Sequence, residues 1–290
     1  MRKYYEFVVE GLILLSAIAS IIFVLLILIF LLKEGFMLFR TIGVFDFLFG
    51  NRWYPISEPP RFGILPLILG SLWVTLGATV IAVPLGIACA IFIGEIAPGW
   101  LREILKAGVE LLAAIPSIVL GFIGLVTLVP LVKKLFGLPT GLTALSGSIM
   151  LAFMAMPTIV SIMEDALNAV PRGYREGSIA MGATQWQTIR RIVLPSASSG
   201  IVAAVMLGIG RVIGETMAVM MITGNAAVIP NSFFQPVRTM TATIAAEMGE
   251  TVQGSEHYFA LFAIGIVLFA ITFAVNLLAD LSLHRKQTIG

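Results

Sequence analysis

Cysteine, histidine and charge are all scarce in this chain. Cys89 is the single cysteine among 290 residues, so no disulfide can close within the chain and no thiolate cluster can hold a metal. The two histidines, His257 and His284, lie near opposite ends of the last apolar run, which excludes a His-rich metal centre as well. Charged residues make up 12% of the sequence, about half the share usual in a soluble domain. The net charge of +2 is spread over loops rather than gathered in a stripe, which argues against nucleic acid as a partner. No Gly-Lys dipeptide occurs, so the phosphate-cradling loop GxxxxGK[ST] is missing and the chain is not itself an ATP-binding subunit of that kind. No nucleophile–base pair and no metal-ligand set is present, so the chain is not expected to be an enzyme or to hold a cofactor of its own.

What fills the sequence is apolar: 59% of the residues are hydrophobic. A bilayer core takes about 20 apolar residues of helix, and runs of that size cover 11–32, 62–94, 111–132, 135–163, 192–237 and 257–279. In lipid the backbone must satisfy its own hydrogen bonds, so all six spans are predicted as helices; the alternation of a membrane β-barrel is absent. The fold class is therefore an all-α membrane protein with six transmembrane helices. The N-terminal MRKYYE and the run after it resemble a secretory signal, with Ala17-Ile18-Ala19 mimicking a cleavage site. The run continues to Leu32, beyond the roughly 7–15 residues of a signal's apolar core, and reads as an uncleaved first span.

Lys and Arg positions set the orientation. With the N-terminus cytoplasmic, Arg2, Lys3, Arg102, Lys106, Arg172, Arg175, Arg190, Arg191, Arg285 and Lys286 face inward. Lys33, Arg40, Arg52, Arg61, Lys133, Lys134 and Arg238 then lie outside. Both termini are expected in the cytoplasm of a multi-pass plasma-membrane protein. The chain divides into 1–65, a first helix and an external loop; 66–280, a core of five helices; and 281–290, a short cytoplasmic tail. The external loop 33–65 carries Trp53 and Tyr54, suited to a membrane interface. A second external loop, 224–256, opens with Gly224-Asn225, and Asn225 is expected to cap or turn the span before it. Pro84, Pro116 and Pro157 fall inside apolar runs, where each removes a helical hydrogen bond and kinks the helix.

Two features interrupt the oil. The first is the polar, basic loop RGYREGSIAMGATQWQTIRRIVLP at 172–195. Residues 173–181 are predicted as a short helix with Glu176 near its start, where the dipole favours an acid. Gly182 suits the turn after it because glycine accepts positive φ. Thr184 is placed to cap a second helix from Gln185 to Val193. From the residues alone two uses stay open: a rigid knob gripped by a soluble partner, or an amphipathic pair resting on lipid headgroups. The second feature is Arg211 and Glu215, four residues apart in the fifth run. On a continuous helix they share a face. A charge at mid-bilayer costs about 2.5–3.5 kcal/mol and normally faces a pathway or a partner charge. Arginine suits an oxyanion because its planar fork bonds two oxygens at once.

The loop carries a resemblance. Glu176, then Ile179-Ala180-Met181, Gly182, nine residues, and Ile192-x-Leu194-Pro195 resemble the EAA loop of ABC-importer permeases, the coupling helix seated on a cytoplasmic ATPase. Gly177 and Ser178 stand where that pattern has two alanines; both remain small. GIGRVIGETMAVMMITGN at 208–225, RFGILPLILGSLWVT at 61–75, ELLAAIPSIVLGFIGL at 110–125 and NRWYPISEPPRFGILP in the first external loop are similar to signatures of phosphate-importer permeases, closer to the C-type than to the A-type. The resemblance implies a type I ABC importer permease fold and inward movement of inorganic phosphate through a prokaryotic inner membrane. It also implies a second, A-type permease, two copies of an ATPase that bind ATP and Mg, and an external phosphate-binding protein. By it, Arg211 and Glu215 line the substrate pathway, with Glu110 and Ser117 as weaker pathway candidates. Glu176, Gly177, Ser178, Gly182, Ile192, Leu194 and Pro195 form the ATPase-coupling loop. Permeases for sulfate or molybdate, and an ion-driven secondary transporter relaying protons through Glu215, stay open as alternatives.

Overall fold

A computed structural model of the chain describes residues 2–287, with side chains described for 9–277. Its elements are helices apart from one two-stranded hairpin, among the described residues. Five helices are long and apolar enough to cross a membrane, and six if the bent pair Gln185–Ser196 and Ser198–Gly214 is one span. Five of the six expected spans are therefore found outright and the other in a bent pair, with different boundaries.

The first span is α1, Arg2–Leu38. It packs lengthwise on the last helix, α14, Glu256–Gln287. The contact is close because each helix offers a glycine to a large side chain of the other: a Cβ on Gly35 would meet Ile266, and one on Gly265 would meet Leu31. Lipid gives no hydrophobic drive between apolar helices, so such close packing is what joins them. Most of the remaining surface of α1 is exposed apolar side chain, as lipid contact requires. The expected tail, 281–290, continues as helix to Gln287. Met1 and residues 288–290 lie outside the described residues, as do the side chains of Arg2, Lys3, His284, Arg285 and Lys286.

The loop expected to be external, 33–65, ends in an ordered cap. It holds α2, Val44–Phe49, and the antiparallel strands β1, Trp53–Tyr54, and β2, Arg61–Phe62, paired Trp53 to Phe62 and Tyr54 to Arg61. Trp53 is only 2% exposed, a departure from its expected interfacial place. Its indole N–H finds a carboxylate, Glu247, at 3.1 Å, and a partnered N–H lets the ring be buried.

The bundle core is α3, Leu65–Ile91, against α7, Ala144–Asn168. Pro84 and Pro157 lie inside these helices. Ile159 of α7, 1% exposed, sits between two glycines. A Cβ on Gly86 of α3 would meet it at 2.7 Å, and a Cβ on Gly208 of α11, Ser198–Gly214, would overlap it. Three helices thus converge on one branched side chain.

Three boundaries were not foreseen. Pro116 breaks the third apolar run, because Ile115 and Pro116 are extended. Residues before it form a separate helix, α4, Gly99–Ala114, with no buried residue. The third span is α5, Ser117–Val126, followed by α6, Leu128–Phe136. The fourth begins at Ala144 rather than at 135, since Gly137 takes a left-handed conformation that ends α6 and Thr143 caps α7. The fifth is bent by 73° at Ala197 and stops at Gly214.

Overpacking at the Ile159 contact should be costly and locally reversible. Gly208→Val is expected to destabilise the protein by about 1–3 kcal/mol, and Ile159→Ala in the same chain to return part of that. Thermal unfolding of the four-member double-mutant cycle in detergent measures the coupling; additive losses would show that the two residues do not share a contact.

Candidate functional site

The polar loop folds as expected from its local chemistry. Pro171 is extended and leads into α8, Arg172–Ala180. Gly182 has φ of +84°, and its N–H bonds back to the Ile179 carbonyl at 2.9 Å. Thr184 then forms a capping box: its hydroxyl accepts the Gln187 N–H at 3.3 Å, and the Gln187 side chain accepts the Thr184 N–H at 2.8 Å. This starts α9, Gln185–Thr188, which widens into a π-turn over Ile189–Val193 and ends as α10, Leu194–Ser196. The Ser178 and Thr188 hydroxyls, 2.9 Å apart, tie the two limbs together. Pro195 sits in the turn before the 73° bend rather than at the start of the next span.

The outer face of this elbow has no cover. Tyr174, Ile179, Met181 and Trp186 are exposed, Met181 to 88%. Glu176, Gly177 and Gly182 are exposed, and Ser178, Ile192 and Leu194 half-buried. Gly173, Tyr174, Gly177, Met181, Ile192 and Pro195 border a cleft of about 620 Å³. Open space lies beyond the α-carbons of Gly173, Gly177 and Gly182.

The elbow is fastened to the bundle by charge. Arg175 places its guanidinium fork on Glu95, with Nη2 2.6 Å from Oε1 and Nε 3.2 Å from Oε2. The same arginine donates to the carbonyls of Leu167 and Val170, each at 2.7 Å. Gln185 donates to the Glu95 carbonyl at 2.8 Å. Glu95 lies in a second π-turn, Phe92–Ile96, which continues α3. Nearby, Glu164 of α7, 2% exposed, accepts from Arg102 at 3.0 Å, pairs with Lys106 at 3.3 Å and accepts from Asn168 at 3.3 Å. From the sequence, Arg102 counts only toward membrane orientation, Arg175 toward that and toward lipid headgroups, and Glu95 has no role. The available signal was an acid within FIGEIAP, at the end of an apolar run.

At Arg211 and Glu215 the structure corrects the helical pairing. Helix α11 ends at Gly214, and Glu215 is extended, with φ −69° and ψ 133°. Among the described residues the two side chains form no ion pair. The Glu215 carbonyl accepts the Thr241 hydroxyl at 2.9 Å. Its carboxylate accepts the N–H of Ala218 at 3.3 Å, capping α12, Met217–Ile222. Both contacts need an extended residue at 215, and they win over one more turn of helix. Arg211 is exposed, and its Nε donates to the Met154 carbonyl of α7 at 3.1 Å. One edge of the guanidinium is thereby fixed, and the carboxylate expected to neutralise it bonds to the Ala218 N–H instead. Its place in the last turn of α11 suits a cation, because the helix C-terminus is the negative end.

The weaker candidates lie on two different helices, and α5 packs against α12, where a Cβ on Gly121 would meet Ala218. Glu110 is exposed on α4, and Ser117 is half-buried at the first residue of α5. Asn225 turns the end of α12 as expected, with φ of +50° and its amide donating to the Met220 carbonyl at 2.7 Å.

Comparison with known proteins fits this geometry. Residues 82–287 match the family described as binding-protein-dependent transport system inner membrane component. The probable ABC transporter permease protein YqgH of Bacillus subtilis is 44% identical over 261 residues, covering 89% of this chain and 84% of that protein. The phosphate transport system permease protein PstC of Haemophilus influenzae is 36% identical over 288 residues, 90% of each chain. PstC of Mesorhizobium japonicum is 40% identical over 83% of this chain and 79% of its own. Among solved structures, the MetNI methionine ABC transporter in inward facing conformations aligns with a TM-score of 0.61 at 22% identity, over 79% of this chain and 99% of that one. A bacterial ABC transporter involved in import of the acidic polysaccharide alginate aligns with a TM-score of 0.67 at 16% identity, over 98% and 99%. At such identities the likeness is one of fold.

The capping box is directly testable. Thr184→Ala should cost the elbow about 1 kcal/mol, so that amide exchange across 178–188 speeds up about fivefold while α7 is unaffected. Hydrogen-exchange mass spectrometry reads both segments; unchanged exchange in the elbow would refute the cap.

Proposed function

This chain belongs to the binding-protein-dependent transport system inner membrane components, and from that membership we propose that it is the permease subunit of an ATP-driven importer that moves inorganic phosphate into the cell. It is a multi-pass inner-membrane protein and a transport subunit rather than an enzyme. One observation carries the mechanism: at the break between α11 and α12 a guanidinium is exposed while the nearby carboxylate is spent on capping a helix. The relatives named phosphate transport permeases, similar over most of the chain, support phosphate as the anion.

Two N–H edges of an arginine match two oxygens of a phosphate group. A single such contact is weak, as a pathway needs, since the ion has to leave again. Affinity then resides in an external phosphate-binding protein that delivers the ion. Glu215 does not hold the arginine; it holds the backbone break that presents it. Glu110 and Ser117 serve the pathway less directly than these two.

The energy comes from a partner. Two copies of a cytoplasmic ATPase, which bind ATP and Mg, grip the elbow 172–195, with Glu176, Gly177, Ser178, Gly182, Ile192, Leu194 and Pro195 shaping the contact. The exposed Tyr174, Ile179, Met181 and Trp186 supply its apolar part. A second, A-type permease completes the pathway from the other side, and both termini of this chain lie in the cytoplasm. Closure of the ATPases rocks the bundle between outward and inward access.

Two outcomes follow for the reconstituted complex. Arg211→Ala should lower radiolabelled phosphate uptake by about two orders of magnitude, the upper end of what loss of a hydrogen bond to a charged group costs, whereas Arg211→Lys, which keeps the charge without the fork, should lower it by about tenfold. Competition with sulfate and molybdate identifies the anion; uptake of sulfate in preference to phosphate would overturn the substrate assignment. Gly182→Trp, at a left-handed residue with open space beyond it, should leave the permease assembled while cutting uptake driven by ATP. Undiminished uptake with the ATPase bound normally would overturn the coupling role of the elbow.

A further inference from the structure

No residue of α8 is buried. Apolar packing therefore does not hold this helix against the bundle, and a push on it would be lost unless something polar transmits it. Beyond its packing on the second limb of the elbow, α8 is bonded by side chains, among the described residues, through the Ser178–Thr188 contact and through Arg175. That one side chain reaches three separate places: the Glu95 carboxylate at the end of α3, and the Leu167 and Val170 carbonyls at the end of α7. The last carbonyls of a helix lack the usual partner one turn on; the guanidinium adds a charged donor to Leu167, which otherwise takes only the Val170 N–H at 3.3 Å and that of Ala169, and to the Val170 carbonyl just past α7. The side chains of Arg175 and Glu95 are 21% and 10% exposed, and a forked, charge-assisted pair of this kind is stiff in direction as well as strong.

Glu95 is arranged for the task by its backbone. The π-turn over Phe92–Ile96 closes with the Ala97 N–H on the Phe92 carbonyl at 2.8 Å. An extra residue in a helical turn re-aims the side chains that follow, and such turns cluster at functional positions. Here it brings Glu95 to the elbow and leaves its carbonyl free for Gln185. Both limbs of the elbow thus end on one residue: α8 on the carboxylate, α9 on the carbonyl. Helices α3 and α7 are the pair that packs most extensively in the bundle, so whatever moves Glu95 and the end of α7 moves the core.

We propose that Glu95 and Arg175 form the joint through which displacement of α8 becomes movement of α3 and α7, which makes Glu95 a positioning residue for coupling ATP hydrolysis to transport. The inference rests on the import function given above. With the joint cut, the ATPases still bind the exposed face of α8 and still close, but α8 swings on its two backbone flanks and the core stays in place.

The test uses the whole complex of both permeases, the ATPase and the binding protein in liposomes, with phosphate uptake and ATP hydrolysis read on the same vesicles. Glu95→Ala is expected to hydrolyse ATP within about twofold of wild type while phosphate moved per ATP falls about tenfold, a coupling loss of ordinary size. Glu95→Asp, which keeps the charge, should recover most of that ratio. Should Glu95→Ala fail to assemble, Glu95→Gln decides: it keeps the volume and one acceptor and should lose coupling in the same direction by a smaller factor. An unchanged ratio of uptake to hydrolysis overturns the joint, and so does a parallel fall in both, which is what a merely structural residue would give. Wild-type vesicles that hydrolyse ATP and take up no phosphate would instead refute the transport function, and the joint with it.

Discussion

Inside a hydrocarbon layer a backbone N–H or C=O without a partner costs several kcal/mol, and no water is at hand to supply one. A straight helix meets that demand by itself. A transporter cannot consist only of straight helices, because a pathway needs breaks, and each break exposes groups that some side chain has to satisfy. Many of the contacts that define this fold do that. Thr241 takes the Glu215 carbonyl, Glu215 takes the Ala218 N–H, Arg211 takes the Met154 carbonyl, and Arg175 takes those of Leu167 and Val170. The Ser148 hydroxyl, buried in α7, reaches the Val74 carbonyl of α3 at 3.2 Å. The polar residues of this apolar chain are thus concentrated where helices end or bend.

The end of the bundle opposite the elbow follows the same economy. Glu247 accepts from the indole of Trp53, from Arg238 at 2.5 Å and lies 2.8 Å from Nε2 of His257. One carboxylate thereby ties the loop after the first span, the loop before the last span and the last span itself. Arg238 also donates to the Asn225 carbonyl at 3.1 Å, which fixes the turn after α12. The cap is rigid because a charged centre with several donors has few alternative arrangements, whereas apolar loops of the same length would have many.

The sequence made the periodic and local features legible. Six apolar runs, the glycine turn at 182, the Thr184 cap and the turn at Asn225 each depend on a few adjacent residues, and each is found in the structure. Boundaries set by tertiary contact were not legible. Nothing local says that Thr241 will draw Glu215 out of helix, or that Pro116 will end α4 rather than kink a longer span. Arg211 and Glu215 at a spacing of four invited a helical ion pair; the partners that prevent it come from Met154, about sixty residues earlier, and from Thr241, after a loop. Glu95 was invisible for the same reason, since its significance lies in an arginine eighty residues away.

That difference in range has a mechanical counterpart. Features readable from neighbouring residues are those that keep their shape whatever the rest of the bundle does: the elbow, the caps, the individual spans. Features that required the fold are the connections between such pieces, and a machine that alternates between two arrangements moves by changing connections while keeping pieces intact. Arg211 illustrates the consequence. Its helix and its last-turn position are local and constant, but its hold on α7 is one hydrogen bond to a single carbonyl. A sliding of α11 against α7 by one helical turn, about 5.4 Å, would hand the guanidinium from one carbonyl to another or release it altogether. In the proposed pathway the charge offered to the anion is thus held to α7 by one hydrogen bond, while the glycines at 86 and 208 let Ile159 bridge α3, α7 and α11 in close contact.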